Sequence, residues 1–361
     1  MSQLLQPPRH ASSCPRSFPD TRFRSSVQPR ANSRSRQKTA RFQTQALFQE
    51  QVAGCWVTGP SRRRPKATVH FLGGVFAGAA PQLFYSLFIE LLAEAGYLVI
   101  ATPFRATLFH ASCARAVDQS FQACLSEIQR SHQIWAAPAD APVHGVGHSN
   151  GALLHLLIGS LTKVQNASNV IISFNNKQVK DAIPVPLDGL QSLIRSQRTD
   201  SAAGGYPGAV TLLQRAASTA LQWGVPLDPR LVQSLMPAVD QIDTVFEEVG
   251  DGTFDFQPPP DESKRLIATQ YSVPSLMVRF SNDGIDETPA LLQSLQSRGS
   301  SEHMELLLSG THVTPCGSDI NWQVGRSFSL TDAIGLGAKM VAQADIRRLA
   351  NRVIAWLDRQ S

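Results

Sequence analysis

The sequence is short of charge: 17% of its 361 residues are Asp, Glu, Lys or Arg, against 42% hydrophobic. That balance excludes a wholly disordered chain, a charge-laced coiled coil and a collagen-like repeat. Cysteine is scarce as well. Cys14, Cys55, Cys113, Cys124 and Cys316 are scattered, odd in number and never in a C-x-x-C pair. They indicate neither a disulfide framework nor a structural zinc site, and a reducing compartment suits them best. A clean membrane span is also missing. Ala67 to Ile89 carries no charged residue and is long enough to cross a bilayer, yet Gly73, Gly74, Gly78 and Pro81 break it into a strand, a turn and a helix.

Acid is what residues 1–46 lack: nine Lys and Arg stand there against Asp20 alone, with eight serines and no glutamate. No apolar run of secretory type accompanies them, so the segment reads as a disordered organellar transit peptide, chloroplast first and mitochondrion second. The rest of the chain holds 24 basic and 27 acidic side chains. The formal charge of +5 therefore belongs to the leader, and a nucleic-acid partner is not indicated.

Beyond the leader, apolar runs alternate with helical patterns, the mark of a mostly parallel sheet with helices on both faces. The runs predict strands at Thr68–Val75, Leu98–Pro103, Pro142–His148, Val170–Phe174, Ser275–Phe280 and Met304–Leu308. Helices are expected at Pro81–Ala95, with Pro at its start and Gly96 past its end, and at Ala114–Gln129, Gly151–Leu161 and Asp332–Arg359, the last preceded by a turn at Gly335 and Gly337. Residues 177–270 show helical patterns and no convincing strand, which suggests a helical cap inserted between core segments 47–176 and 271–361. Such an insertion sits where open sheets bind ligands.

The sharpest local pattern is Gly147-His148-Ser149-Asn150-Gly151, at a strand-to-helix junction. G-x-S-x-G in that context is a nucleophile elbow, because a tight turn holds the serine out and bulkier residues two positions away would collide with strand and helix. A serine hydroxyl needs a base and a carboxylate to become a nucleophile at neutral pH. The loop after Ser275–Phe280 offers Asp283, with Asp286 as the alternative on the same loop; the loop after Met304–Leu308 offers His312. Asn150 N–H and Val75 N–H, the latter beside Gly73-Gly74, are the candidate oxyanion donors. His70, His148 and His155 read as packed polar residues; His110, His132 and His303 fall in loops with no supporting pattern. No cofactor or metal is called for.

With these residues in place, the chain resembles the plant and cyanobacterial α/β-hydrolase-like family known as domain of unknown function 1350. The matching stretches are Val69–Pro81, Gly96–Phe104, Gly145–Gly151, Asn169–Asn176, Phe280–Thr288 and Ser309–Pro315, over most of the chain past residue 50. The resemblance implies an α/β-hydrolase fold in a plastid, with no settled substrate. Two places depart from the family's pattern: Asn150 replaces a leucine after the nucleophile, and Leu108-Phe109-His110 replaces Phe-Asp-His.

The reading favours a serine hydrolase of ester or thioester bonds. The cap and the apolar residues Phe76, Phe84, Leu153 and Leu154 point to an acyl or lipid-like small-molecule substrate, and the cap is where any peripheral membrane contact would be made. The alternative is a non-catalytic binding or scaffold protein in the plastid that keeps the fold.

Overall fold

The structure is a computed structural model and describes residues 46–75, 77–162, 166–177, 244–245, 248, 251–253, 255–297, 302–317 and 330–361. The expected leader up to residue 45, most of the expected cap and Phe76 lie outside the described residues. One eight-stranded sheet organises the rest, in the order β1-β2-β4-β3-β5-β6-β7-β8. Its strands are β1 (Leu47–Val52), β2 (Cys55–Pro60), β3 (Ala67–Leu72), β4 (Tyr97–Ala101), β5 (Val143–His148), β6 (Ser168–Ile172), β7 (Ser275–Asn282) and β8 (His303–Thr311). β1 and β2 pair antiparallel, as do β2 and β4. Every pairing from β4 through β3, β5, β6 and β7 to β8 is parallel. This is the α/β-hydrolase fold.

Each central strand is buried on both faces, so period-two alternation sorts its side chains between two cores. Val69 and Phe71 of β3, Val99 of β4, Val170 and Ile172 of β6, and Leu276 and Val278 of β7 face one cluster. Helices α2 (Ser86–Glu94) and α7 (Leu330–Leu357) close it with Phe88, Leu92, Leu349 and Val353. Leu72, Ile171 and Met277 face the opposite way. They meet α3 (His110–Ser131), α4 (Asn150–Leu161), α5 (Pro260–Gln270) and α6 (Thr288–Gln296) through Val117, Leu157, Ile267 and Leu291. Truncating a fully buried leucine in either layer to alanine costs about 2–5 kcal/mol.

The structure departs from the sequence expectation in five places. The hairpin β1–β2, closed by Ala53 and Gly54 at positive φ, was not expected, nor was α6. The expected helix Pro81–Ala95 is two, α1 (Pro81–Phe84) and α2, separated at Tyr85, which has φ −121° and ψ 18°. Ladder bonds continue on either side of Tyr85 while its ring is fully buried, so a tertiary demand on the side chain overrides an unbroken helix. α5, assigned to the cap from sequence, packs through Ile267 and Tyr271 into the core, so the core resumes one helix earlier than expected. Finally, α7 runs straight through Gly335 and Gly337 with no turn.

Candidate active site

The parallel strands end at one edge of the sheet, and there β5 turns into α4. Ser149 occupies the turn with φ 55° and ψ −116°, a conformation rarely populated by a residue with a side chain and worth on the order of 1–3 kcal/mol of strain. Ser149 N–H donates to the Ile172 carbonyl at 2.9 Å, which fixes the turn to the neighbouring strand. The flanking glycines are obligatory on packing grounds. A Cβ on Gly147 would lie 2.4 Å from the Gly151 carbonyl oxygen, and one on Gly151 would lie 2.2 Å from that of Leu72.

Two distant loops reach Ser149. His312, just past β8, places Nε2 2.9 Å from Ser149 Oγ, and its Nδ1 lies 2.8 Å from Asp283 Oδ2. The Asp283 side chain is 0% exposed and as a carboxylate can only accept, so Nδ1–H donates to it and the Nε2 lone pair faces the serine hydroxyl. The second Asp283 oxygen accepts the Ile285 N–H at 3.1 Å, which pins the carboxylate in its plane. Sequence left Asp286 open as the acid. The structure engages Asp286 elsewhere: it pairs with Arg279 Nε at 2.8 Å and accepts the Thr288 hydroxyl at 2.5 Å.

The residues expected to supply oxyanion donors, Asn150 and Val75, lie on different elements. Asn150 is the first residue of α4, where a backbone N–H has no intrahelical partner and the helix dipole is positive. The loop after β3 presses on the nucleophile, since a Cβ at Gly74 would lie 3.3 Å from Ser149 Cβ. Gly74 N–H is already committed to the Tyr85 hydroxyl at 2.7 Å, and Val75 follows it in the same loop.

Several neighbours were misjudged from sequence. His110 begins α3 rather than lying in a loop. It stacks on Phe256 and sits 3.1 Å from the Asn150 side-chain amide, and burial pushes its pKa down to about 4. His148 is buried, as expected of a packed polar residue, and its contact with the His312 carbonyl at 2.8 Å is the part the sequence did not show. Its pKa is pushed down to about 3, by burial first and by the neighbouring His312 second. Leu153 and Leu154 do not line a pocket: they point into the core layer with Val117 and Leu157, because α4 is buried on nearly every side. Phe84 packs against the opposite layer. Apolar surface near the site comes instead from exposed residues on its loops, Val75, Phe109, Ile285 and Val313. Their exposure is set by tertiary packing: Ile285 and Val313 stand singly in polar loops, while Val75 and Phe109 lie beside other apolar residues that give no sign of which one faces outward.

Among the described residues, no group of three or more His, Cys, Asp or Glu side chains could hold a metal ion, and no helix is long and apolar enough to cross a membrane.

Comparison with solved structures finds an esterase from Pyrococcus furiosus at 13% identity, covering 88% of this chain and 92% of that one, with a TM-score of 0.43. A malate-bound thermophilic esterase from Thermogutta terrifontis is similar at 10% identity over 87% of this chain and 99% of that one, with a TM-score of 0.45. No curated protein matches the sequence. The family model described as "Protein of unknown function (DUF1350)" matches residues 48–359, most of the chain, and the protein belongs to that family.

Proposed function

We propose that the protein is a serine hydrolase that cleaves an ester or thioester of an acyl or lipid-like substrate. The observation that carries the reading is the unbroken run Ser149 Oγ, His312 Nε2, His312 Nδ1, Asp283 Oδ2, with separations of 2.9 and 2.8 Å, on a strained strand-to-helix turn. In it His312 takes the hydroxyl proton as Ser149 Oγ attacks the acyl carbon, and Asp283 stabilises the imidazolium that forms. The tetrahedral oxyanion receives Asn150 N–H and Val75 N–H, each donor worth about 3 kcal/mol of transition-state stabilisation. His312 then returns the proton to the departing alcohol or thiol, leaving the acyl group on Ser149. Water, deprotonated by His312, releases the acid and restores the serine.

The apolar loop residues Val75, Phe109, Ile285 and Val313 support an apolar acyl group over a small polar one. The basic, serine-rich leader supports import into a plastid, which fractionation of cells expressing a tagged full chain would test. The enzymatic test is hydrolysis of a panel of p-nitrophenyl acyl esters of graded chain length. Turnover that peaks at medium or long chains and vanishes in Ser149→Ala is the expected result. Equal turnover by Ser149→Ala would exclude the proposed nucleophile.

A further inference from the structure

The hydrogen bonds beside the proposed proton path can be given directions one at a time. His148 Nε2 lies 2.8 Å from the His312 carbonyl oxygen, which can only accept, so Nε2 carries the proton. A neutral imidazole protonated at Nε2 offers a lone pair at Nδ1. Tyr85 Oη, 2.9 Å away, must therefore donate to Nδ1. With its one proton used, the Tyr85 oxygen accepts from Gly74 N–H at 2.7 Å.

We infer that Tyr85 and His148 are positioning residues, a one-directional hydrogen-bond strap from Gly74 through Tyr85 and His148 to the His312 backbone that sets oxyanion loop and base against Ser149. The inference rests on the hydrolase reading above and adds residues to it that touch no substrate. Three features of the strap carry it. It begins at Gly74 N–H, so it holds the loop that follows β3, where a Cβ on Gly74 would lie 3.3 Å from Ser149 Cβ. It passes through the residue immediately before the nucleophile, so elbow and strap move together. It ends on the residue that supplies the base, whose ring lies with its centroid 5.1 Å from that of His148. Burial keeps His148 uncharged at working pH, so the imidazolium formed on His312 during the reaction meets no second cation. The break between α1 and α2 at Tyr85 serves the same arrangement, because Tyr85 is where the chain leaves helical geometry.

The test compares Tyr85→Phe, His148→Gln and His148→Asn in the full chain. It measures the rate of fluorophosphonate labelling of Ser149, kcat and KM on an acyl ester, and the thermal midpoint. A Gln amide nitrogen reaches about the place of the imidazole Nε2 and keeps the donor to His312, whereas an Asn oxygen reaches only the place of Nδ1 and loses it. Misplacing reacting groups by even an ångström costs about 100-fold in rate. Tyr85→Phe and His148→Asn are therefore expected to label and turn over about 100-fold more slowly at nearly unchanged KM, with His148→Gln recovering most of the loss. A residue that merely supported folding would lower the midpoint and leave the labelling rate of the folded fraction unchanged. If Tyr85→Phe does not fold, the two His148 variants decide, and equal rates for them overturn the inference. Wild-type labelling matched by Tyr85→Phe overturns this inference alone; a wild-type protein that never labels overturns the hydrolase reading and this inference with it.

Discussion

Replacing Asp283 by asparagine probes the proposed proton path with almost no change of shape. Asp283 Oδ1 accepts the Ile285 N–H at 3.1 Å and Oδ2 accepts from His312 Nδ1 at 2.8 Å. In Asp283→Asn the backbone N–H still demands an acceptor, so the amide oxygen stays with Ile285 and the NH2 turns toward His312. His312 Nδ1 must then accept, which moves the ring proton to Nε2, where it faces Ser149 Oγ and blocks proton transfer. Because the carboxylate is 0% exposed, water cannot substitute for it. A wrong tautomer of this kind costs about 10⁴-fold in kcat, which is ~5.5 kcal/mol of barrier. Asp286→Asn is the internal control. It weakens the pair with Arg279, costing about 1–3 kcal/mol of stability, and leaves kcat near wild type. The assay is steady-state ester hydrolysis alongside urea unfolding. A large kcat loss in Asp286→Asn with an active Asp283→Asn would refute the reasoning.

Three more outcomes follow from the same structure. Gly151→Ala brings a Cβ to 2.2 Å from the Leu72 carbonyl oxygen, so backbone must shift; an unfolding measurement should show a loss of about 1–3 kcal/mol, with labelling of Ser149 strongly reduced. His110, His144 and His155 are held down to about pKa 4 and His148 to about 3, burial being the first cause in each. They stay neutral when folded and bind protons when unfolded below about 6.5, so stability is full above that pH and falls as pH drops toward 4. Each steepens the fall by up to about 1.4 kcal/mol per pH unit, and a urea midpoint that stayed flat from pH 7 to 5 would contradict this. Finally, His312→Ala should still fold, with a thermal midpoint lowered by the loss of the partner to the enclosed Asp283 carboxylate, while losing nearly all ester cleavage.

The sheet could be read from the sequence because its central strands are buried on both faces, which leaves the near-continuous apolar runs around Val69, Val99, Val146, Ile171 and Val278. The β1–β2 hairpin escaped because Gln49, Glu50 and Gln51 face solvent and its turn is Ala53-Gly54 rather than the usual Asn-Gly. Ser149 was legible through glycines that packing forces on the turn. Asp283 and Asp286 could not be separated in one dimension: three residues apart on one loop, they differ only in what faces them, His312 for the first and Arg279 for the second. His148 and Tyr85 were hidden for a related reason, since their partners lie on other strands' loops.

The measurement that bears most directly on the proton path is mass mapping of the adduct after fluorophosphonate treatment of the protein without residues 1–46. One adduct on Ser149, absent in Ser149→Ala and formed far more slowly in His312→Ala, is the predicted result. No adduct on the folded wild-type protein, or an adduct that His312→Ala acquires just as fast, would contradict it.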